Sequence, residues 1–285
     1  MTGGTPPLLR LEGVTVRYHP DGPPALAEID LTLRAGEWVS VLGANGSGKS
    51  TLARVLAGLI APTAGAVVLR GAPVGATETD LWILRQAVGL VLQNPEDQIV
   101  AATVEDDVAF GPENRALPPD EIERRVTAAL RRTGLEALRS VEPARLSGGE
   151  KQRLAVAGAL AVEPAALVFD EATSMLDAEA RARLLAVMRE EQAAGRAIVH
   201  ITHELEEAEV ASRLVVLDRG RLRYDGPPAP FFTALAEGRL ALPGLLPPFG
   251  VRLAKDLTAR GIAVRPARFD PEAVVEAAWT SASKR

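Results

Sequence analysis

The sequence contains no cysteine. That excludes a disulfide framework and any cysteine-based metal or catalytic site. Long apolar runs are missing as well: no stretch approaches the ~18–20 residues needed to span a bilayer, and the longest candidates are broken by proline or charge. The first residues, Met1 to Pro7, have neither a basic segment nor a long apolar core, so no signal peptide is expected. Lysine is scarce, occurring only as Lys49, Lys151, Lys255 and Lys284, and arginine supplies the rest of the positive charge. With a net charge of −5 the chain shows no general nucleic-acid-binding balance. What remains is a chain of 285 residues, 47% apolar, consistent with one large domain or a domain with an appendage.

Within it stands the stretch Gly43-Ala44-Asn45-Gly46-Ser47-Gly48-Lys49-Ser50-Thr51. The apolar run Trp38 to Leu42 before it predicts a buried strand, and Leu52 to Gly58 after it predicts a helix. Strand, glycine-rich turn and helix form the context in which G-x-x-x-x-G-K-S is a phosphate site. Glycines let successive backbone N–H groups point into one concavity, and the helix adds its own free N–H groups and dipole. Lys49 brings charge to the outer phosphates, and the Ser50 hydroxyl is suited to ligate Mg²⁺.

Other strand ends carry polar groups. Val88 to Leu92 reads as a strand ending at Gln93, where ligand-sensing side chains sit in open α/β sheets; a simple turn is the alternative. Ala166 to Asp170 reads as a core strand followed directly by Glu171. Paired acids there suit a Mg²⁺-holding Asp170 and a water-polarising Glu171. Ala197 to Thr202 is another buried strand, with His203 at its end; His19 and His200 receive no role. Tyr18, near the end of the first strand, could stack on a base, although an aromatic there is more often a core or surface residue. Leu146-Ser147-Gly148-Gly149-Glu150 opens an apolar helix and is a second possible anion site or an ordinary helix cap.

The periodicity predicts helices over 81–86, 121–132, 151–160 and 178–193, and a short acidic one from Val104 that stops at Gly111-Pro112. Helical character over about 95–162 suggests a helical subdomain. A hairpin over 214–225 closes the main domain near Gly226, giving domains 1–225 and 226–285, the second mainly helical with helices near 249–260 and 271–279.

The motifs in this order resemble the ATPase subunits of ATP-binding cassette (ABC) transporters over about 1–225. The resemblance implies an α/β P-loop NTPase: an ABC-type nucleotide-binding domain with a RecA-like core, an antiparallel β subdomain, a helical subdomain and a small C-terminal appendage. It implies ATP and Mg²⁺ as cofactors. Gly43–Thr51 matches the Walker A loop and Ala166–Glu171 Walker B. Gln93 matches the Q-loop, with Ser50, Gln93 and Asp170 around the metal. Ser174-Met175-Leu176-Asp177 matches the D-loop, His203 the switch histidine and Tyr18 the adenine-stacking aromatic. Leu146–Glu150 is similar to the signature sequence, which in that family completes the partner cassette's ATP site.

A narrower resemblance rests on Gln93-Asn94-Pro95-Glu96-Asp97-Gln98, Thr103 to Pro112, and the tail Leu253 to Ile262. These look like the ATPases of energy-coupling factor transporters, importers of vitamins or of cobalt and nickel. It implies a peripheral subunit on the cytoplasmic face, working with a transmembrane coupling protein and a substrate-binding membrane subunit, and no nucleic-acid partner. Asp170–Asp177 resembles one of two paralogous ATPases, which favours a heterodimer over a homodimer. Glu204, where the family often has aspartate, is a departure that keeps the acid. The alternatives are another ABC importer, for a metal ion or amino acid, a soluble ABC ATPase of translation or repair, and a nucleotide-binding regulator.

Overall fold

A computed structural model of the chain describes residues 6–240, 247–262, 264, 269 and 271–282. The residues inspected for a leader, 1–5, and the rest of the 226–285 extension lie outside these.

Two sheets organise the fold. β1 (Pro7–Val16), β2 (Leu26–Arg34), β4 (Ala64–Leu69) and β5 (Ala72–Val74) form an antiparallel sheet in the order β2-β1-β4-β5. Alternation drives it: Ile29, Leu31 and Leu33 are buried while Asp30 and Arg34 are exposed. The break in β1 at Gly13 is a register shift against both neighbours.

The second sheet runs β10-β9-β3-β8-β7-β6. It comprises β3 (Trp38–Leu42), β6 (Val88–Val91), β7 (Ala166–Asp170), β8 (Ala197–Ile201), β9 (Arg213–Asp218) and β10 (Arg221–Gly226). All pairings are parallel except β9 with β10. β3, β7 and β8 are buried at every position, as unbroken apolar strands of a sheet covered on both faces must be. One core lies between the two sheets and includes α1 (Lys49–Leu56), whose Leu52, Val55 and Leu56 are fully buried. Burial of each such side chain contributes roughly 1.5–3 kcal/mol.

A second core joins the other face of the parallel sheet to helices α3 (Val104–Asn114), α4 (Pro119–Thr133), α5 (Gly148–Ala161) and α6 (Ala178–Ala193). α3 departs from expectation by running through Gly111-Pro112. Pro112 is buried, and the helix continues two residues past it to Asn114; a Cβ on Gly111 would meet Val162 Cγ1 at 2.5 Å, so α3 packs closely there. α2 (Glu78–Ala87) starts earlier than predicted because Thr77 and Asp80 form a capping box.

The third core belongs to the end of the chain. α8 (Pro228–Ala236), α9 (Phe249–Ala259) and α10 (Pro271–Ala282) pack Phe231, Phe232, Val251 and Val274 against Leu42 of β3, Val216 of β9 and Leu205 of α7 (Leu205–Ala208). α8 was not placed by the sequence reading; Pro228 occupies its first helical position, where a missing N–H is harmless.

Candidate active site

The carboxyl ends of β3, β7 and β8 lie side by side, and the candidate residues follow each end. After β3 comes the phosphate loop. Gly48 caps α1 in a left-handed conformation (φ 104°), and a Cβ there would meet Ala25 O at 2.5 Å, so only glycine fits. The hairpin turn between β9 and β10 supports the loop from below, with Gly220 N donating to Ser47 O at 2.9 Å. Lys49 is buried; its Nζ donates to Gly43 O at 2.8 Å and Ala44 O at 3.3 Å. The lysine is thereby folded back over the loop it serves.

β7 delivers Asp170 and Glu171. Ser50 Oγ donates to Asp170 Oδ1 at 3.2 Å. Burial pushes the Asp170 carboxyl above its ordinary value, assisted by the Glu171 charge and opposed by Ser50, Lys49 and Arg54. A carboxylate held there is short of positive charge. The donors at hand, a serine hydroxyl, a carboxylate and the Gln93 amide, are hard oxygens of the kind Mg²⁺ prefers. Among the described residues no cluster of three or more His, Cys, Asp or Glu forms a cage.

Glu171 faces two ways. Its Oε1 lies 3.5 Å from Lys49 Nζ and its Oε2 3.6 Å from His203 Nδ1. The Glu171 backbone is left-handed, with φ 52°, uncommon for a side-chain-bearing residue. The next turn holds it there: Ser174 donates to Glu171 O from both N (3.1 Å) and Oγ (2.8 Å). Gln93 Nε2 reaches Ser174 Oγ at 3.4 Å, bringing the end of β6 to the same turn. Met175 is largely exposed, Leu176 is buried, and Asp177 caps α6 by accepting from Ala180 N at 2.8 Å. Tyr18 is half exposed, with its hydroxyl 3.2 Å from Thr51 Oγ1.

Leu146 to Glu150 stands apart. Ser147 and Glu150 form a reciprocal capping box at the start of α5, and the Ser147 bonds hold the Glu150 carboxyl below its ordinary range. Among the described residues no hydrogen bond or ion pair joins this turn to residues 43–51. A cleft of about 840 Å³, lined by Pro7, Arg10, Arg70, Arg132 and Arg196, also lies away from the site. It sits among the segments that enter β3, β7 and β8, at the amino ends of the strands. Nucleotide sites of open α/β sheets belong at the carboxyl ends.

Four residues escaped the sequence reading. Glu207 of α7 is buried and accepts at Oε2 from Thr173 Oγ1 (2.8 Å) and Thr202 Oγ1 (3.0 Å). His200, fully buried, places Nε2 3.3 Å from the same oxygen. The sequence offered little signal, because Glu207 is one of several acids in the run Glu204 to Glu209.

A phosphate loop, an acid pair two strands away and a histidine on the strand between them, on a two-layer sheet with a helical arm, is the layout of an ATP-binding cassette. Comparison with known proteins agrees. The ABC transporter family profile matches residues 26–174. The energy-coupling factor transporter ATP-binding protein EcfA1 of Halalkalibacterium halodurans is 46% identical over 271 residues, covering 95% of this chain and 96% of that one. Its counterpart in Symbiobacterium thermophilum is 48% identical over 266 residues, covering 90% and 92%. Among solved structures, cbiO1 of Clostridium perfringens, part of the ABC transporter complex cbiONQ, superposes with a TM-score of 0.74 at 33% identity, over 88% of this chain and 99% of that one. A dimeric cassette in a post-hydrolysis state with ADP and Pi gives 0.71 at 27% identity, over 77% and 98%. The chain belongs to the ABC transporter ATPases and, within them, to the ATP-binding subunits of energy-coupling factor importers. It binds and hydrolyses ATP.

Proposed function

We propose that hydrolysis is carried by Lys49, Glu171 and His203 acting on ATP·Mg²⁺ held by the Gly43–Thr51 loop. The observation that carries this reading is that Glu171 is within 3.6 Å of both Lys49 and His203, at the ends of strands separated in sequence. Asn45, Gly46, Ser47 and Gly48 line the loop with backbone N–H donors, and Lys49 exchanges its two carbonyl contacts for phosphate oxygens. Tyr18 stacks on the base. Ser50, Asp170 and Gln93 hold Mg²⁺, which when bound offsets phosphate charge. Glu171 orients and polarises the attacking water, and His203 orients it from the other side. Catalysis is thus electrostatic and positional, with no covalent protein intermediate.

The isolated chain supplies half of each site. Among the described residues Leu146–Glu150 makes no hydrogen bond or ion pair to its own phosphate loop, and its N–H groups are suited to a γ-phosphate on a second cassette. Asp170–Asp177 favours a paralogue as that second cassette over another copy. The two membrane partners would be a transmembrane coupling protein and a substrate-binding subunit selecting a vitamin or transition-metal ion. A groove of about 230 Å³ beside Gln98, lined also by Arg85, Leu90, Val100, Phe110 and Gly111, is a suitable seat for helices of the coupling protein. Val100 and Phe110 there are at least half exposed, as an unpartnered docking surface would be. No helix of the described residues is long and apolar enough to cross a membrane, so docking would hold this subunit on the cytoplasmic face.

The test is a tagged pull-down from detergent-solubilised membranes, with every co-purifying chain identified. Recovery of a small integral-membrane coupling protein and a second cassette is expected. Recovery of paired conventional permeases would move the protein to another importer class. Recovery of no membrane protein would remove the membrane docking.

A further inference from the structure

Glu207 has no place in the chemistry described above, yet it joins the two loops that carry it. Its Oε2 accepts from Thr173, two residues past Glu171, and from Thr202, one residue before His203. Both threonines are almost fully buried. Thr202 Oγ1 also accepts from Glu204 N at 3.0 Å, so the loop around His203 is pinned on both sides. His200 Nε2 at 3.3 Å and Arg181 Nε at 3.4 Å flank the carboxylate. Neither is aligned as a hydrogen bond. Burial opposes ionisation of Glu207, but His200 and the two hydroxyls outweigh it and hold the carboxyl below its ordinary range.

A buried carboxylate is an expensive way to fill space, since apolar packing of similar volume is often at least as stable. Its value here lies in which segments it links. The backbone already ties the strand ends, through Glu171 N to Ile201 O at 3.0 Å. Beyond that bond the two loops diverge, and Glu171 sits in a left-handed conformation that needs support. Ser174 closes the turn above Glu171, and Thr173 anchors it below, on Glu207.

We propose that Glu207 is a positioning residue for ATP hydrolysis: by binding Thr173 and Thr202 together it sets Glu171 and His203 in register around one water. The inference rests on the roles given to Glu171 and His203 under Proposed function. It adds a requirement that the end of β7 and the end of β8 move as one unit.

The experiment measures kcat and KM for ATP, nucleotide affinity and Tm for the full chain in its assembled ATP-hydrolysing complex. Thr173→Val keeps the side-chain shape and removes only the hydroxyl. It is expected to lower kcat about tenfold with KM and nucleotide affinity within about twofold, as misplacement of a catalytic group does. Thr202→Val, which also strips an acceptor from Glu204 N, is expected to lower kcat at least as much. Glu207→Ala should match or exceed both, and Glu207→Gln, which keeps one oxygen for both hydroxyls, should return most of the rate. Glu171→Gln is the control: in that background Glu207→Ala should cause no further loss, because the two act through one step.

Wild-type kcat in Thr173→Val and Thr202→Val would overturn the proposal. So would losses in which KM rises as kcat falls and both follow Tm. If Glu207→Ala fails to fold, the two valine variants decide. Undiminished turnover in Glu171→Gln would instead overturn the reading of the site itself.

Discussion

The Glu171 carboxylate lies 3.5 Å from the Lys49 ammonium, one arriving from β7 and the other from the first turn of α1. Each is the other's counter-ion before phosphate enters. On the proposed reading of the site, nucleotide binding would transfer Lys49 to the phosphates and leave Glu171 to face His203 and water. Replacing Glu171 by Gln removes the base and leaves the phosphate-binding donors in place. Turnover should fall by at least ~100-fold, in line with loss of a positioned general base. ATP binding should persist within about threefold, since the interaction removed belongs to the transition state. The paired cassettes should accumulate in the ATP-bound, closed form on size-exclusion chromatography.

Lys49→Ala acts earlier. It deletes a charge-assisted donor to the outer phosphates, an interaction of about 1.5–3 kcal/mol, so ATP affinity should weaken on the order of 10–100-fold. Calorimetric titration of the purified chain measures it. Unchanged affinity would remove Lys49 from the phosphate site.

Tyr18 is exposed over half its surface, and its hydroxyl lies 3.2 Å from Thr51 Oγ1. If the ring stacks on adenine, Tyr18→Ala should weaken ATP binding by about 1–3 kcal/mol, the range for base–aromatic stacking. Tyr18→Phe should stay within about threefold of wild type, since it keeps the π-face and loses one neutral hydrogen bond. Equal losses in the two variants would give the role to the hydroxyl and its Thr51 contact.

These residues could be read from the chain because their chemistry is local. The phosphate loop is contiguous, and Asp170, Glu171 and His203 each stand at or just past the end of a buried, mainly apolar strand. The parallel β3-β8-β7 order then brings those strand ends together without further information. Glu207, Thr173 and Thr202 were invisible for the converse reason. They come from three segments, and nothing local distinguishes Glu207 from Glu206 or Glu209 beside it. Proline position mattered in two places. Pro228 occupies the first position of α8, a helix the sequence reading did not place, and Pro112 lies inside α3, which was expected to stop at Gly111-Pro112.

Asp107 offers a pH test away from the nucleotide. It is buried in α3 beside the Gln98 groove and accepts from Val100 N (2.8 Å) and Ala101 N (3.1 Å). Burial raises its pKa above the ordinary 3.8, and the two N–H bonds only partly offset that. A folded-state value above the unfolded one means the native chain binds the extra proton, so this residue's contribution to stability declines as pH rises through the folded value. Asp107→Asn keeps an oxygen for both N–H groups and removes the charge. Its Tm relative to wild type should therefore be highest at pH 7–8 and fall as pH drops toward 4, read by thermal melts across that range. A difference independent of pH would show that ionisation of Asp107 carries none of the effect.

The last test concerns how the end of the chain reaches the site. Phe231 of α8 is almost fully buried, with its ring 5.0 Å from Tyr224 and 5.4 Å from Phe232. The same cluster holds Leu42, which precedes the phosphate loop, and Leu205, two residues past His203. Phe231→Ala should cost about 3–5 kcal/mol through lost burial and the cavity left behind. At roughly 2–4 °C per kcal/mol for a chain of this size, Tm should drop by about 6–20 °C. If the extension also braces Leu42 and Leu205, kcat should fall at temperatures well below the transition, while a remote packing role would leave kcat at the wild-type value there. Measuring turnover of the folded variant at 20 °C separates the two, because at that temperature the unfolded fraction no longer contributes to the difference.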